Sequence, residues 1–220
     1  MAFNFEPMVL RLNNILPTYF DENRKQQSEI WGKDLEFTGG QLVKIVAPSG
    51  SGKTSLIHFI YGMRHEYTGT IAYGGSTIRS FDAEDFARNR KDHFSIVFQD
   101  LRLFPEQTVF ENINIKRQLN PYHPPEKIRE MAERLGIGSK LNSKVRMCSY
   151  GEQQRVAIIR SLMQPFNFLL LDEPFSHLDN RNSEKAMELM LEEARHRNAC
   201  VLFADLERIE FFPWTTIYHL

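Results

Sequence analysis

The most constraining feature of this sequence is a turn rich in glycine and serine that joins an apolar segment to a helix-like one. The apolar segment, residues 42–47, predicts a buried strand, and the helix-like segment begins at Thr54. Gly50 and Gly52 let the backbone fold so tightly that successive N–H groups point into one concavity at the positive end of the helix. A strand, such a loop and a helix in this order predict a site for the phosphate groups of a nucleotide.

Seven consecutive residues are the candidate ligands of these phosphates. They are Ser49, Gly50, Ser51, Gly52, Lys53, Thr54 and Ser55. Lys53 adds a positive charge for the β- and γ-phosphates, and the Thr54 hydroxyl is placed to hold Mg²⁺. Ala47 stands where the usual pattern has its first glycine. A plain glycine–serine turn with a solvated lysine is the alternative, but the position of the loop between a strand and a helix favours nucleotide binding.

Two carboxylates follow a second apolar segment, residues 168–171. In open α/β sheets, ligands bind beyond the carboxyl ends of the strands, so we expect Asp172 and Glu173 beside the phosphates. Asp172 would hold Mg²⁺ through water, and Glu173 would orient and polarise the attacking water as general base. A strand followed by an acidic loop is common in isolation, but its combination with a phosphate loop makes both carboxylates candidate site residues.

Short apolar segments alternate with helix-period segments along the 220 residues, which predicts an α/β fold with a mainly parallel sheet flanked by helices. Together with the phosphate loop, this order resembles the core of P-loop NTPases. Residues 8–12 and 30–37 mix apolar and polar side chains, which is typical of an antiparallel flank with one solvated face. Residues 107–135 contain no apolar strand and predict helices inserted between strands of the sheet.

We therefore expect one ATPase-like domain, 1–220, with an inserted subdomain. The predicted nucleotide-binding core with its β flank comprises 1–98 and 165–220, and the predicted helical subdomain comprises 99–164. Further predicted elements are a hairpin around Gly74 and Gly75, helices at 82–90, 151–163 and 181–197, and strands at 94–98, 200–204 and 215–219.

Charge and composition exclude several other classes of protein. The chain has 27 Lys and Arg against 28 Asp and Glu, so no basic surface dominates and a nucleic-acid partner is disfavoured. The longest apolar run, residues 199–204, is far shorter than the ~20 residues of a membrane-spanning helix. The N-terminus lacks the basic start and apolar stretch of a secretory signal, and there are only 2 cysteines. We expect a cytoplasmic protein that does not itself cross a membrane.

Residues 148–160 carry the most specific pattern, Cys-Ser-Tyr-Gly-Glu-Gln-Gln-Arg-Val-Ala-Ile-Ile-Arg. This run resembles the signature region of ATP-binding cassette (ABC) ATPases, Leu-Ser-Gly-Gly-Gln followed by a Gln-Arg-Val-Ala-Ile-Ala-Arg helix. Gln99 resembles that family's Q-loop glutamine, and residues 175–179 resemble its D-loop. The four motifs occur in the family's order from about residue 41 to 206, whereas the guanine-reading segment of GTPases, Asn-Lys-x-Asp, is absent. The signature stretch is most similar to lipoprotein-releasing and macrolide-efflux ATPases.

The resemblance implies an ATP-dependent dimer. Ser149 and Gly151 lie at a predicted helix start, where a hydroxyl and free N–H groups form a second anion site. In the family, two chains pack head to tail, and the signature of each closes on the γ-phosphate held by the other's loop. ATP then joins the subunits and hydrolysis to ADP releases them. The second subunit would be an identical or a related chain.

The resemblance also implies further site residues and a membrane partner. Gln99 would touch the metal and the attacking water. An aromatic residue of the β flank would stack on adenine. Tyr19 and Phe20 are the nearest candidates, followed by Trp31, although a place in the core explains each of them equally well. The segment 101–110 would lie beside the groove that receives a helix of a separate integral membrane permease, although ordinary packing explains its apolar residues equally well. The chain would then sit peripherally on the inner face of the cell membrane.

Three positions depart from the family pattern. Tyr150 replaces the first signature glycine, where its bulk could crowd a phosphate, and Glu152 replaces glutamine at a position expected to lie past the contact. Ala204 stands where the family has its switch histidine, and no histidine occurs between His196 and His219. Losing one positioned donor typically costs ~10²–10³ in rate at oxyanion-type sites. The sequence therefore predicts ATP binding and dimerisation, with either slow hydrolysis or reliance on the site of a partner chain.

Two other functions are compatible with the sequence. A small-molecule phosphotransferase would use the same phosphate loop, and the signature segment would then be a coincidence. An ATP-binding dimer that signals or scaffolds with negligible turnover would account for Tyr150 and Ala204. The transported substrate does not follow from the sequence.

Overall fold

The computed structural model describes residues 8–48, 50–206 and 214–220. The strands are, in chain order, β1 (Leu10–Pro17), β2 (Asp34–Phe37), β3 (Leu42–Val46), β4 (Tyr67–Tyr73), β5 (Ser76–Thr77), β6 (Phe94–Val97), β7 (Phe168–Asp172), β8 (Cys200–Asp205) and β9 (Thr216–His219). The α-helices are α1 (Arg24–Gln27), α2 (Lys53–Ile60), α3 (Ala83–Asp92), α4 (Val109–Leu119), α5 (Glu126–Arg134), α6 (Tyr150–Leu162) and α7 (Asn180–His196).

Five strands form a parallel sheet in the order β6-β7-β8-β3-β9. The residues of β7 are all buried, as expected for a strand covered by other structure on both faces. The parallel direction places the carboxyl ends of β3, β6, β7 and β8 at one edge. The predicted phosphate loop and Asp172 therefore meet at this edge, and the predicted parallel core is confirmed.

The predicted antiparallel flank is also confirmed, with different strand limits. The second sheet has the order β2-β1-β4-β5, and all its pairs are antiparallel. Strand β1 continues beyond the predicted residue 12 because a register shift accommodates its polar residues Asn13 and Asn14. Strand β2 begins only at Asp34, since the N–H groups of Ile30 and Trp31 donate to the Ser28 hydroxyl and form a turn instead.

The hairpin between β4 and β5 turns at Gly74 and Gly75, as predicted. Both residues have positive φ, 52° and 93°. A two-residue hairpin loop that matches the twist of the strands requires left-handed backbone at both central positions. Glycine adopts this conformation without a steric penalty. The Gly-Gly pair therefore fixes the register of the hairpin.

Helices α4, α5 and α6 lie in sequence between β6 and β7, where the inserted helical segment was expected. Their apolar side chains share one buried cluster with residues of the sheet and of α7, among them Val97, Leu169 and Met187. A second buried cluster joins α2 and the antiparallel flank to residues of the parallel sheet such as Leu170 and Leu202. The boundaries at 99 and 164 remain a prediction, because the helical segment and the sheet share a continuous core.

A buried ionic cluster fastens the loop between α4 and α5 to α7. The Glu193 carboxylate is hydrogen-bonded to Arg197 and lies 2.7 Å from His123 Nε2. Arg197 also donates to the Leu162 carbonyl and stacks 3.7 Å from the centre of the Tyr122 ring. Burial acts to raise the pKa of Glu193, but the hydrogen bond with His123 and the Arg197 guanidinium outweigh it and lower the pKa to about 2.

We expect Glu193→Gln to destabilise the chain by about 3–5 kcal/mol, because it leaves the Arg197 guanidinium buried without its counter-charge. Urea unfolding at pH 7 measures this loss. Since folding lowers the pKa of Glu193, the wild-type advantage is complete above about pH 5 and shrinks as the pH falls toward 2. Glu192→Gln is the matched control: it removes a half-exposed ion pair with Arg134 and should cost less than about 1 kcal/mol. Equal losses in the two variants would contradict the role of the cluster.

Candidate active site

The turn after β3 has the backbone shape that its glycines predict. Gly50 and Gly52 have φ values of 77° and 100°, and Gly52 immediately precedes the first turn of α2. A Cβ atom on Gly52 would lie 3.0 Å from the Trp31 ring and 3.2 Å from Phe20, so a side chain here would meet both backbone strain and aromatic neighbours. The Ser51 hydroxyl donates to the Pro48 carbonyl and closes the turn. Ser49 lies outside the described residues.

The Lys53 ammonium lies at the base of this turn and is almost completely buried. Its Nζ donates to the carbonyl oxygens of Ala47, at 2.7 Å, and Pro48, at 3.1 Å. The same Nζ is 3.4 Å from Glu173 Oε1. The carbonyl oxygens of the loop itself therefore hold the lysine in place.

Thr54 and Asp172 meet across the gap between α2 and β7. Thr54 Oγ1 donates to Asp172 Oδ1 at 3.2 Å, and the Asp172 side chain is fully buried. Burial raises the pKa of Asp172 to about 6, against the opposing effect of the Thr54 hydrogen bond. The second carboxylate oxygen, Oδ2, has no hydrogen-bond partner among the described residues. Such a buried, unsatisfied oxygen beside a hydroxyl matches the oxygen ligands that Mg²⁺ prefers.

Glu173 adopts a left-handed backbone conformation with φ 47°. Its N–H donates to the Ala204 carbonyl at 2.9 Å, which fastens this residue to the end of β8. Its carboxylate then lies between two other candidates, accepting a 3.1 Å hydrogen bond from Gln99 Nε2 and facing Lys53. Left-handed backbone at a residue with a side chain is costly, and such strain concentrates at functional sites.

Tyr19 lies at the outer side of the same site. Its hydroxyl shares a 2.5 Å hydrogen bond with Ser55 Oγ, which also accepts from Arg64 at 3.2 Å. The Tyr19 ring is half-exposed and lies edge-on against Phe20. Trp31, the other aromatic candidate, is buried under the loop, where its Nε1 donates to the Ser51 carbonyl. Trp31 thus supports the loop from beneath, and Tyr19 and Phe20 are the exposed candidates.

These residues enclose a cavity of about 240 Å³ at the carboxyl edge of the sheet. Its lining residues are Tyr19, Phe20, Gly50, Gly52, Lys53, Thr54, Ser55, Gln99 and Glu173. The structure therefore brings together the predicted phosphate loop, the predicted Q-loop residue and the predicted carboxylate, as well as the predicted adenine-stacking residue.

Ser149 and Gly151 are not among the residues that line this cavity; they lie at the first turn of α6. Ser149 caps the helix: its Oγ accepts from the Glu152 N–H at 3.3 Å, and its own N–H donates to Glu152 Oε2 at 2.8 Å. A Cβ atom on Gly151 would lie 3.0 Å from the His177 carbonyl oxygen, so this glycine allows the D-loop to approach.

That Glu152 lies past the phosphate contact stays a prediction, and the structure shows that its side chain caps α6. Its carboxylate folds back onto the N–H of Ser149, forming a capping box, and adds a negative charge beside the predicted anion site. Lys140 Nζ, 3.4 Å from Glu152 Oε1, offsets part of that charge. Burial acts to raise the pKa of Glu152, but the Ser149 N–H and Lys140 outweigh it and lower the pKa.

Arg160, at the other end of α6, is a residue whose role sequence reasoning missed. It is buried and donates to the carbonyl oxygens of Leu101 and Arg102, at 2.6 and 2.7 Å. Both residues have left-handed backbone, with φ 57° and 48°. A single guanidinium therefore holds the strained segment that follows Gln99 against the helix that begins at the signature.

The fold and the cavity define a P-loop nucleotide-binding protein. A family model for the ABC transporter matches residues 32–176 of the chain. The chain belongs to the ABC transporter family and is one of its ATP-hydrolysing nucleotide-binding cassettes. This assignment confirms the resemblance drawn from the signature, and it does not support the small-molecule phosphotransferase.

Relatives of two kinds resemble this chain. The lipoprotein-releasing system ATP-binding protein LolD of Legionella pneumophila is 34% identical over 81% of this chain and 80% of its own length. The macrolide export ATP-binding/permease protein MacB of Nitrosomonas europaea is 32% identical over 89% of this chain, which spans about 30% of that relative. Both agree with the similarity to lipoprotein-releasing and macrolide-efflux ATPases.

A solved structure shares the architecture. The ATP-binding cassette MJ0796, in a dimeric post-hydrolysis state bound to ADP and Pi, superimposes with a TM-score of 0.76 at 25% identity, over 89% of this chain and 87% of that one. No α-helix in the described part of the present chain has the length and apolar character needed to span a bilayer.

Proposed function

We propose that this chain is the ATP-binding subunit of a transporter, in which two such subunits close around ATP and drive a separate membrane permease. The observation that carries the proposal is the convergence of Lys53, Gln99 and Glu173 on one cavity, together with the position of Ser149 outside it. A single chain would thus present two anion-binding surfaces, and the dimeric state of the related cassette MJ0796 supports their use on one nucleotide.

ATP would bind with its phosphates in the turn of residues 49–55. The backbone N–H groups around Gly50 and Gly52, the Lys53 ammonium and the hydroxyls of Ser49, Ser51 and Ser55 are the candidate donors. Tyr19 would stack on adenine from the outer side of the cavity. Its hydrogen bond to Ser55 gives the ring a fixed position next to the phosphate turn.

Thr54, Gln99 and Asp172 would hold Mg²⁺. The unsatisfied Oδ2 of Asp172 fits this role, directly or through water, because a hard cation beside it would replace the missing hydrogen bond. The cation would also favour the charged form of Asp172, whose pKa burial has raised. When bound, Mg²⁺ neutralises charge that develops on the phosphate oxygens.

Glu173 would orient the attacking water and accept its proton as general base. The left-handed backbone of Glu173 and its link to the Ala204 carbonyl keep the carboxylate at the edge of the sheet, where Gln99 can contact it. Gln99 would hold the water from the opposite side. In the unliganded arrangement Glu173 faces Lys53, and ATP would replace that ion pair with its γ-phosphate.

Ser149 and Gly151 of a second chain would close the site. The Ser149 Oγ accepts one hydrogen bond from Glu152 N–H, which leaves its hydroxyl proton free to donate to a phosphate oxygen. The first turn of a helix also offers N–H groups without helical partners. ATP binding would therefore join two chains, and loss of the γ-phosphate would remove the contacts that join them.

We expect Glu173→Gln to form a stable dimer in Mg-ATP but to remain monomeric in ADP or in ATP with a chelator. Light scattering coupled to size exclusion measures this. Ser149→Ala in the same background should weaken the dimer by about tenfold or more, because a hydrogen bond to a charged group contributes about 1.5–3 kcal/mol. Ser143→Ala, which changes a partly buried serine on the loop before the signature, is the control. A monomer under all conditions would overturn the head-to-tail arrangement.

We further propose that hydrolysis is slow, because Ala204 offers no side-chain donor at the end of β8. Its methyl group is fully buried beside Asp172, with which it pairs across the sheet. The intact Lys53, Asp172 and Glu173 support ATP binding, whereas the missing donor affects the transition state. The same departure keeps open a dimer that signals with negligible turnover.

Introducing a histidine at this position should accelerate hydrolysis. We expect Ala204→His to raise the steady-state rate of phosphate release by about tenfold or more, since one positioned donor is worth ~10²–10³ at comparable sites. Glu173→Gln should abolish turnover, and unfolding curves of both variants check that they fold. A wild type that hydrolyses rapidly and does not respond to Ala204→His would contradict slow hydrolysis, and a rate equal to that of Glu173→Gln would favour the signalling dimer.

The permease would dock on a groove between β6, α4 and α6. This cavity of about 260 Å³ is lined by Tyr61, Ile96, Phe98, Arg102, Phe104, Ile115, Lys116, Leu119, Arg160 and Ser161. Leu101 is buried, as ordinary packing would predict, but Phe104 and Leu119 are 49% and 58% exposed. Because Arg160 and the segment after Gln99 line this groove, a docked helix would contact the same elements that reach the nucleotide. The chain would thereby lie peripherally on the inner face of the cell membrane.

We expect the double variant Phe104→Ser/Leu119→Ser to leave the membrane fraction of its native cells. The wild type should co-purify from membranes with one integral protein in a fixed ratio, because the exposed apolar side chains bind it. Ile217→Ser, which removes a comparably exposed apolar side chain from β9, should behave as the wild type. The ATP-dependent dimer of the double variant should be intact. Equal membrane recovery of all three chains would contradict docking at this groove.

A further inference from the structure

The D-loop and the signature contact each other through two aromatic side chains, one of which, Tyr150, departs from the family pattern. The rings of Tyr150 and His177 lie edge to face with their centres 4.2 Å apart. Tyr150 stands at the first signature glycine, and His177 is the central residue of the D-loop. Aromatic pairs of this geometry attract each other beyond the effect of the area they bury. The substitution at 150 therefore supplies a surface on which the imidazole at 177 rests.

The backbone of His177 is fixed to α6 as well. Its N–H donates to Gln154 Oε1 at 3.1 Å, and Gln154 is 1% exposed. The other end of the same amide, Nε2, is 3.4 Å from Ser176 Oγ. The His177 carbonyl packs against Gly151. Because these contacts all involve the first two turns of α6, the position of His177 relative to Ser149 is set by one rigid element.

The His177 imidazole is exposed and available for a ligand. Among the described residues, its ring nitrogens have no hydrogen bond or ion pair, whereas its backbone N–H donates to Gln154. An imidazole N–H is a directional donor suited to a phosphate oxygen. By contrast, His219, which lies at the end of β9 beside the phosphate loop, is bonded to Glu29. His177 is thus the better-placed donor.

We propose that His177 of one subunit donates a hydrogen bond to the γ-phosphate held by Lys53 of the other, in place of the donor that Ala204 lacks. The inference rests on the proposed head-to-tail dimer, in which Ser149 reaches that phosphate. Tyr150 is then a positioning residue for the imidazole. In the reaction, the water oxygen bonds to the γ-phosphorus, the bond to the bridging oxygen of ADP breaks, and Glu173 takes the water proton. His177 transfers no proton.

A double-mutant cycle tests the inference. In the wild-type background, where residue 204 is alanine, we expect His177→Ala to lower the residual turnover by about tenfold or more. In the Ala204→His background it should change turnover less than about twofold, because the donor is already present in the same chain. His196→Ala, which removes an exposed histidine on α7, should change neither rate. Equal effects of His177→Ala in both backgrounds, or wild-type turnover no higher than that of Glu173→Gln, would overturn the inference.

Mixed dimers show which subunit provides the imidazole. A limiting wild-type chain is assayed with an excess of Lys53→Ala chains, so that only its own phosphate loop works. Adding His177→Ala to the excess chain should lower turnover, and placing it on the limiting chain should have little effect. The reverse result, or the same loss in both mixtures, would overturn donation across the interface.

A cross-link gives a readout that is independent of turnover. His177→Cys and Ala204→Cys are combined in the Glu173→Gln chain and treated with a short bismaleimide. We expect covalent dimers in Mg-ATP, few in ADP, and few from the chains that carry only one of the two cysteines. If light scattering shows a dimer that does not cross-link, the inference fails while the proposed function stands. If the chain stays monomeric in Mg-ATP, both fail.

Discussion

The parallel register of β3, β6, β7 and β8 is the constraint on which the rest of the structure depends. Asp172 pairs with Ala204 on the neighbouring strand, and the Glu173 N–H continues that ladder to the Ala204 carbonyl. This ladder turns the chain sharply into a left-handed residue at 173 and points its carboxylate back at Lys53. Residue 204 is therefore tied to the general base through its backbone, while its methyl group lies in the buried core. The backbone at this position holds Glu173 whatever the residue is, so alanine removes a donor without removing the carboxylate from its place.

Helix α6 connects the two ends of the proposed mechanism. Its N-terminal end presents Ser149 and holds the D-loop through Gln154 in the second turn. Its last turn places Arg160 on the carbonyls of two strained residues that follow Gln99. A rigid helix of 13 residues thus links the surface that would meet the second nucleotide to the groove that would meet the permease. Gln99 itself contacts Glu173. A movement of this helix would therefore shift the segment after Gln99 and, through Gln99, the position of the general base.

The sequence predicts the fold and the inner half of the site because both follow from short-range patterns. Glycine spacing places Lys53, and an apolar strand that ends in two carboxylates places Asp172 and Glu173. The limits of β1 and β2 cannot be predicted from the apolar pattern, because a bulge at Asn13 and Asn14 and a turn on Ser28 depend on local hydrogen bonds. Contacts between segments that are distant in the sequence cannot be predicted from such patterns either. Three such contacts are seen only in the folded chain: the hydrogen bonds of Arg160, the capping by Glu152 and the support of the loop by Trp31. Of these, only the capping box could have been predicted from the sequence, because Ser149 is followed three residues later by Glu152.

Considered separately, the departures at 150, 152 and 204 would each be expected to impair an ATPase. Their positions in the fold show that the residues at 150 and 152 make stabilising contacts of their own. Glu152 retains the cap of Ser149 that glutamine would make, and Lys140 balances the charge it adds. Tyr150 does not point alone into solvent but packs on His177, so its bulk has an aromatic neighbour within the same chain. That neighbour is an imidazole, the group that Ala204 lacks. A change from a donor in the working chain to a donor in the opposite chain would make hydrolysis depend on closure of the dimer, because neither chain alone holds a complete set of contacts to the γ-phosphate.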